Sequence, residues 1–424
     1  MPDRINSIVH SIASLVEKIP KNHSIESRSN AKLRAKQPFA AQLLSVSMSS
    51  KQDPEKLALV LSGGGARAAY QVGVLRAVAN LLPRHSSNPF HIITGASAGA
   101  LNAASIASNA QRLRTGVRAL EYVWRNISSE QVYKLDSTSV LGNASNWILS
   151  FLRNRRRDTP TSLLNNEPLE LLLSKVIKFD RLQRAIDAGH LEAFAVTASG
   201  YTSGESVSFY QGIDSMKNWE HPHRVGIRTQ LSLVHLTAST ALPALFPAVK
   251  INREYFGDGA IRQLAPLSPA IQLGADRIFA VGVSSKAPRP EKGAKPLHPS
   301  LTQILSHILN SAFVDTLTND IEILQRYNKM VPLIPQEMAD NDRALRLRPI
   351  HLLEVSPSEN LNSIASEYFE DMPRALKLFI RDAGSSSMLS LLMFEKSYTS
   401  RLIDLGYADA LEKEAEILEF FKTS

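Results

Sequence analysis

The sequence predicts an α/β fold around a mostly parallel sheet, and three stretches carry that expectation. Leu57-Ala58-Leu59-Val60-Leu61-Ser62 and His91-Ile92-Ile93-Thr94 are short, continuous apolar runs, the pattern of strands buried on both faces. Between them Val74, Leu75, Val78 and Leu82 recur at helical spacing before Pro83. The second run therefore follows the first by roughly 30 residues, a βαβ spacing. Arg277–Val283 is a third run of the same kind.

Composition narrows the class. The chain has 424 residues, 44% hydrophobic and 21% charged, ordinary values for a soluble protein with a large core. It has no cysteine, which excludes disulfides, thiol catalysis and cysteine-ligated metals. No uncharged apolar run approaches the roughly 18 residues that a bilayer span needs. The N-terminus lacks the apolar core and cleavage site of a signal peptide, so the expectation is a cytoplasmic protein, peripheral to a membrane at most. The net charge of +8 is modest for this length. With no aromatic–basic interleaving and no recognisable module, nucleic acid is not an expected partner.

The distribution of charge is more telling. Residues 1–50 hold seven Lys or Arg against three acids, and Arg153-Asn154-Arg155-Arg156-Arg157 directly follows an apolar segment. Anionic lipid attracts such clusters by about 1 kcal/mol per charge near its surface; the alternative is a solvated face. Residues 4–18 place Ile5, Ile8, Val9, Ile12, Leu15 and Val16 at helical spacing before Pro20. That helix reads as a strap on the core, an interfacial anchor or a targeting peptide, and its acids and few arginines weaken the last. Residues 4–18 and 147–157 are the candidate membrane contacts. The polar stretch that follows makes residues 1–54 an appendage.

From Lys56 the elements follow in order. The first strand runs into Gly63-Gly64-Gly65-Ala66-Arg67-Ala68 and then a helix. Gly63-x-Gly65-x-x-Ala68 superficially fits a dinucleotide fingerprint. That reading needs an acid at the end of the next strand, and here the strand ends Thr94-Gly95-Ala96-Ser97. The other reading is an oxyanion hole, in which glycine amides converge where a tetrahedral intermediate carries charge. Arg67 either holds this loop or meets a lipid phosphate. Gly95-Ala96-Ser97-Ala98-Gly99 is a strand–turn–helix with serine at its apex, the form of a nucleophile elbow.

Polar-interrupted helices fill Gln111–Asp187. Strands follow at Ala193–Ser199 and Ser206–Tyr210, joined by Thr202-Ser203-Gly204. A helix over Leu231–Ala238 leads to Ser239–Pro247, and Asp258-Gly259-Ala260 sets an aspartate in a glycine turn. Residues 286–299, rich in proline and lysine, form a loop. From Leu301 the chain is mainly helical, interrupted by a strand at His351–Val355. The expected organisation is an appendage (1–54), a catalytic domain (55–285) and a helical C-terminal region packed on it (286–424).

A serine hydroxyl needs a base within hydrogen-bond reach before it attacks an ester. His298, His307 and His351 lie downstream, so a Ser–His–Asp triad stays open beside a Ser–Asp dyad. In a dyad Asp258 takes the proton itself, which requires burial to raise its basicity.

The glycine loop, the elbow and Asp258-Gly259-Ala260, in this order, resemble the patatin-like phospholipase family, with the C-terminal part like its bacterial branch. The similarity covers roughly residues 55–285 and includes Ser239–Pro247 and Gln263–Val283. The resemblance implies a three-layer α/β/α sandwich with a mostly parallel central sheet and a helical C-terminal extension. It implies Ser97 as nucleophile and Asp258 as its partner. It implies an oxyanion hole of Gly63, Gly64 and Gly65 with Arg67 beside them, and Gly95, Gly99, Gly259 and Ala260 as motif positions. The implied activity is hydrolysis of acyl esters of phospholipids, lysophospholipids or acylglycerols, with no metal or cofactor. One departure is Ala68, where the family usually has glycine. An acyltransferase using the same acyl-serine and a non-catalytic lipid-binding protein are the alternatives.

Overall fold

Side chains alternate across β1 (Leu57–Leu61), and that alternation sets the layers. Leu57, Leu59 and Leu61 belong to one hydrophobic cluster, and Ala58 and Val60 to another. The computed structural model describes residues 55–84, 86–134, 162–285, 301–334, 348–374, 376–377 and 386–422. The chain divides into Met1–Asp53 and Pro54–Ser424, and every described residue lies in the second unit. The amphipathic 4–18 stretch, the 147–157 segment and the 286–299 loop fall outside the described residues.

After β1 come α1 (Ala69–Leu81), β2 (Ile92–Ala96), α2 (Ala98–Ser108), α3 (Leu113–Arg125), α4 (Glu167–Val176) and α5 (Phe179–Asp187). Next are β3 (Ala193–Gly200), β4 (Ser206–Gly212), β5 (Trp219–His221), β6 (Arg224–Arg228), α6 (Leu233–Ser239), β7 (Val249–Ile251) and β8 (Glu254–Asp258). The chain continues through α7 (Ser268–Gln272), β9 (Arg277–Val281), α8 (Leu301–Met330), β10 (His351–Val355), α9 (Leu361–Glu367), α10 (Ser386–Leu392), α11 (Lys396–Glu412) and α12 (Glu414–Lys422).

The strands form one sheet in the order β10-β9-β1-β2-β3-β4-β6-β5, with β8 also on β3 and β7 on β8. From β10 to β3 all pairs are parallel, and β4 turns back antiparallel on β3. This is the expected mixed α/β architecture: a mostly parallel central sheet flanked by helices. Each central strand divides as β1 does: Phe194 and Phe279 face the larger cluster, Ala195 and Ala280 the smaller. Among the described residues no helix is long and apolar enough to cross a membrane.

The C-terminal region is woven into this body. β10 extends the sheet beside β9, His351 opposite Arg277 through Val355 opposite Val281. Helix α11 packs on α1 backbone to backbone. A Cβ at Gly73 would stand 2.0 Å from the Ile403 carbonyl oxygen, and one at Gly406 would stand 2.1 Å from that of Tyr70. The Tyr70 hydroxyl donates to Asp409 Oδ2 at 2.9 Å alongside this crossing. Gly406→Val should therefore lower stability by about 3 kcal/mol or more, because neither backbone can retreat. Thermal denaturation reads this directly; an unchanged Tm would mean that the helices do not meet at this residue.

Three local differences from the sequence reading have physical causes. β9 stops at Val281 because Val283 leaves the strand to cover Gly64, whose added Cβ would lie 2.5 Å from Val283 Cγ2. α6 begins at Leu233 because Ser232 and His235 cap it reciprocally. β5 and β6 were not anticipated: they are short, polar surface strands with no apolar run, held by Trp219 stacked on Tyr210 at 5.2 Å.

Candidate active site

Two strands meet head to head on one edge of β3. β2 runs parallel to β3 until Ala96 stands opposite Thr197. β8 then takes the same edge from the other direction, Phe256 opposite Gly200 and Asp258 opposite Ala198. The residue after β2 is Ser97 and the last residue of β8 is Asp258, so sheet register alone brings them together. The Ser97 hydroxyl donates to Asp258 Oδ2 at 2.5 Å.

The chain reaches this arrangement through strain and small residues. Ser97 has φ 52° and ψ −134°, a left-handed conformation that costs a non-glycine residue about 1–3 kcal/mol. The glycines on either side permit it. A Cβ at Gly99 would lie 2.4 Å from the carbonyl oxygens of both Leu61 and Ser62, and one at Gly95 would lie 2.7 Å from that of Gly99. Gly259 has the same reason: its Cβ would fall 1.9 Å from the Thr197 carbonyl oxygen.

Asp258 is fully buried, and both carboxylate oxygens are engaged: Oδ2 by Ser97 and Oδ1 by the Ala260 amide at 2.9 Å. Burial raises its pKa to about 7, with the two hydrogen bonds opposing that shift. The segment after α6 braces both partners. Ser239 Oγ accepts from the Ser97 amide at 2.9 Å and donates to the Thr197 carbonyl at 2.6 Å. The Ala241 carbonyl accepts from the Asp258 amide at 2.8 Å. Neither role was visible in the sequence, where Ser239–Pro247 stood out only by resemblance.

No histidine among the described residues bonds to this pair. His307 on α8 and His351 at the start of β10 are exposed. His235 caps α6 and packs edge-on against Phe209 at 5.0 Å. His298 lies outside the described residues.

The glycine loop arches between β1 and α1. Gly65 has φ +54°, and a Cβ there would lie 2.3 Å from the Leu391 carbonyl oxygen. Among the described residues the amides of Gly63, Gly64 and Gly65 donate to no backbone oxygen, and Gly65 borders the same cavity as Ser97. Arg67 is buried, and burial pushes its pKa down to about 10. Its guanidinium reaches the C-terminal helices, with Nε donating to Ser390 Oγ at 2.8 Å and Nη2 to Asn362 Oδ1 at 2.9 Å.

A chain of buried amides holds the loop from beneath. The Trp124 indole donates to Asn102 Oδ1 at 2.8 Å. Asn102 Nδ2 donates to the Ala68 carbonyl at 3.0 Å and to Gln71 Oε1 at 2.9 Å. Gln71 Nε2 then donates to the Ser62 carbonyl at 2.8 Å. Both feet of the glycine loop are thereby pinned by side chains that are 0% exposed. The signal was present but unread: Asn102 sits five residues beyond Ser97 in an otherwise small, apolar helix.

An almost wholly apolar cavity opens at Ser97 and Gly65, with about 60 Å³ open to the centre of a water-sized sphere. Leu101, Leu120, Trp124, Leu173, Phe246 and Phe394 are among its walls. Its apolar walls suit a hydrocarbon chain rather than a polar group.

The family model described as patatin-like phospholipase matches residues 59–271, half of the chain and the part that carries the loop, the elbow and Asp258. No curated protein sequence matches the chain. Among solved structures it is similar to VipD from Legionella pneumophila, at 12% identity over 88% of this chain and 73% of that one, with a TM-score of 0.33. It is similar to human GIVD cytosolic phospholipase A2, at 14% identity over 91% of this chain and 62% of that one, with a TM-score of 0.43. It is similar to the ExoU–SpcU complex from the type III secretion system of Pseudomonas aeruginosa, at 14% identity over 80% of this chain and 71% of that one, with a TM-score of 0.26. The chain thus spans less than two thirds of the human enzyme's length. With the family model covering half its residues, the chain belongs to the patatin-like phospholipase family.

Proposed function

We propose that the protein is a serine acyl hydrolase that releases fatty acid from phospholipids, lysophospholipids or acylglycerols through a Ser97–Asp258 dyad. Family membership supports lipid hydrolysis as the class of activity. The observation that carries the finer reading is the 2.5 Å bond from the Ser97 hydroxyl to a fully buried carboxylate.

The reaction follows from that bond. Asp258 accepts the Ser97 proton as Oγ attacks the ester carbonyl carbon. The oxygen that becomes negative is received by glycine-loop amides, donors of a kind each worth about 3–4 kcal/mol in the transition state. The tetrahedral intermediate collapses, the alcohol leaves with the proton from Asp258, and the acyl group stays on Ser97. Asp258 takes a proton from water as the water oxygen attacks the acyl-serine carbonyl carbon. The second tetrahedral intermediate collapses, Ser97 Oγ leaves with the proton returned from Asp258, and the fatty acid is freed. The apolar cavity takes the acyl chain, and Arg67 fixes the loop against the C-terminal helices.

The test is mass-spectrometric product analysis on a mixed lipid panel with wild type and Ser97→Ala. Free fatty acid that depends on Ser97 is the expected result; acyl release that persists in the variant, or no release from any lipid, would defeat the proposal. An added alcohol acceptor reads acyl transfer in the same assay.

Asn102 gives an independent check on the loop. Asn102→Leu leaves Trp124 Nε1, the Ala68 carbonyl and Gln71 Oε1 without their partner; it frees the Ala68 foot of the loop and unsteadies Gln71, which holds the Ser62 foot. We expect kcat to fall about 10–100-fold with KM little changed, since an oxyanion donor acts in the transition state. An unaltered kcat in a folded variant would show that the amides do not depend on this brace.

A further inference from the structure

On the Asp258 side of the dyad, three turns gather large side chains that the core does not use. Tyr201 at the β3–β4 turn is 53% exposed, Tyr255 on β8 is 50% exposed and Leu264 is 73% exposed. Tyr201 and Tyr255 are neighbours through the backbone, and Leu264 follows Arg262, which reaches the turn after Tyr201. The Tyr201 amide donates to the Tyr255 carbonyl at 2.9 Å, and the Arg262 guanidinium reaches the Gly204 carbonyl between the same turns. The Tyr201 phenol lies across Gly257, where a Cβ would stand 2.5 Å from its oxygen, one residue from Asp258.

Exposed Lys250, Arg253 and Arg262 edge this cluster, and the Lys250 ammonium sits 5.9 Å above the Tyr255 ring. Two acids share the area, Glu205 and Glu254. Glu254 is already occupied by the amides of Thr202 at 2.9 Å and Ser203 at 2.7 Å. Tyrosines with an apolar body and a polar tip, an exposed leucine and long cationic stems are the side chains that settle at the boundary between lipid headgroups and acyl chains. Packing inside the protein gives none of the three apolar groups a reason to be exposed here. The cluster stands beside the dyad through Gly257, the residue before Asp258, while the apolar cavity at Ser97 is lined by other residues.

We infer that the surface formed by Tyr201, Tyr255 and Leu264, edged by Lys250, Arg253 and Arg262, docks the protein on a lipid bilayer. The inference rests on the acyl-hydrolase reading. It adds a docking surface distinct from residues 4–18 and 147–157.

The experiment uses full-length protein and vesicles of phosphatidylcholine, with or without about one fifth phosphatidylserine. Tyr201→Ser, Tyr255→Ser and Leu264→Ser combined should lower vesicle co-sedimentation and hydrolysis of vesicle lipid at least about tenfold. Hydrolysis of a soluble short-chain ester should stay within about twofold of wild type. Lys250→Ser with Arg253→Ser should weaken binding only where phosphatidylserine is present. Leu264→Ser alone changes an exposed site and keeps the test open if the triple variant fails to fold; it should weaken vesicle binding about threefold. Wild-type vesicle binding by these variants overturns the inference. Failure of the wild-type protein to hydrolyse the soluble ester counts against the hydrolase reading, because vesicle co-sedimentation is read separately.

Discussion

Asp258→Asn should reduce turnover about a thousandfold or more while making the protein more heat-stable above about pH 7. Both effects have one cause, a fully buried carboxylate beside a serine. The asparagine can accept from the Ala260 amide and donate to Ser97 Oγ, so the local geometry survives, but it cannot take a proton. Loss of a positioned general base typically costs 10²–10⁴-fold. The stability effect follows from linkage. Burial raises the Asp258 pKa from 3.8 to about 7, so between these values the folded state binds the proton more tightly than the unfolded state. The protonated side chain contributes stability that is fully present below about pH 4 and is lost as pH rises through about 7. Asparagine, neutral throughout, removes that loss. Thermal melts of both proteins should diverge as pH rises from about 4 to about 7 and stay apart by a constant amount above that. Parallel curves would show that Asp258 does not titrate between the two states.

Ser97→Ala should eliminate turnover to the limit of detection, a loss of about 10⁴-fold or more, and abolish labelling by a fluorophosphonate. The backbone has no reason to change, because the strained φ of 52° is set by the packing of Gly95 and Gly99 rather than by the hydroxyl. Asp258 loses the donor to Oδ2, and its pKa should climb further, leaving the carboxyl protonated at neutral pH. A wild-type circular dichroism spectrum, together with absent esterase activity, is the expected pair of results. Residual activity within tenfold of wild type would mean that another nucleophile does the chemistry.

Much of this arrangement could be read from residue types. Continuous apolar runs mark β1, β2 and β9 because a strand covered on both faces has no polar side to show. The elbow and the Asp258 turn were legible because their glycines are demanded by contacts of 1.9–2.7 Å with backbone atoms, which no larger residue survives. What stayed hidden depends on register between distant segments. Ser239 braces Ser97 across 142 residues, and Arg67 meets Ser390 across 323. Nothing in the local pattern of a serine or an arginine announces a partner that far away. The strand at His351–Val355 was visible as a strand, but its place beside β9 at the sheet edge was not. The exposed tyrosines and leucine near the dyad were equally silent, since exposure is a property of the assembled surface rather than of the residue.

The dyad itself is tested most directly by the pH dependence of fluorophosphonate labelling, with the adduct located by peptide mass spectrometry. The account predicts a single adduct on Ser97 whose rate of formation rises with pH to half its maximum near pH 7, as Asp258 loses its proton, and collapses in Asp258→Asn. Labelling at an unchanged rate in that variant, or an adduct on any other residue, would contradict it.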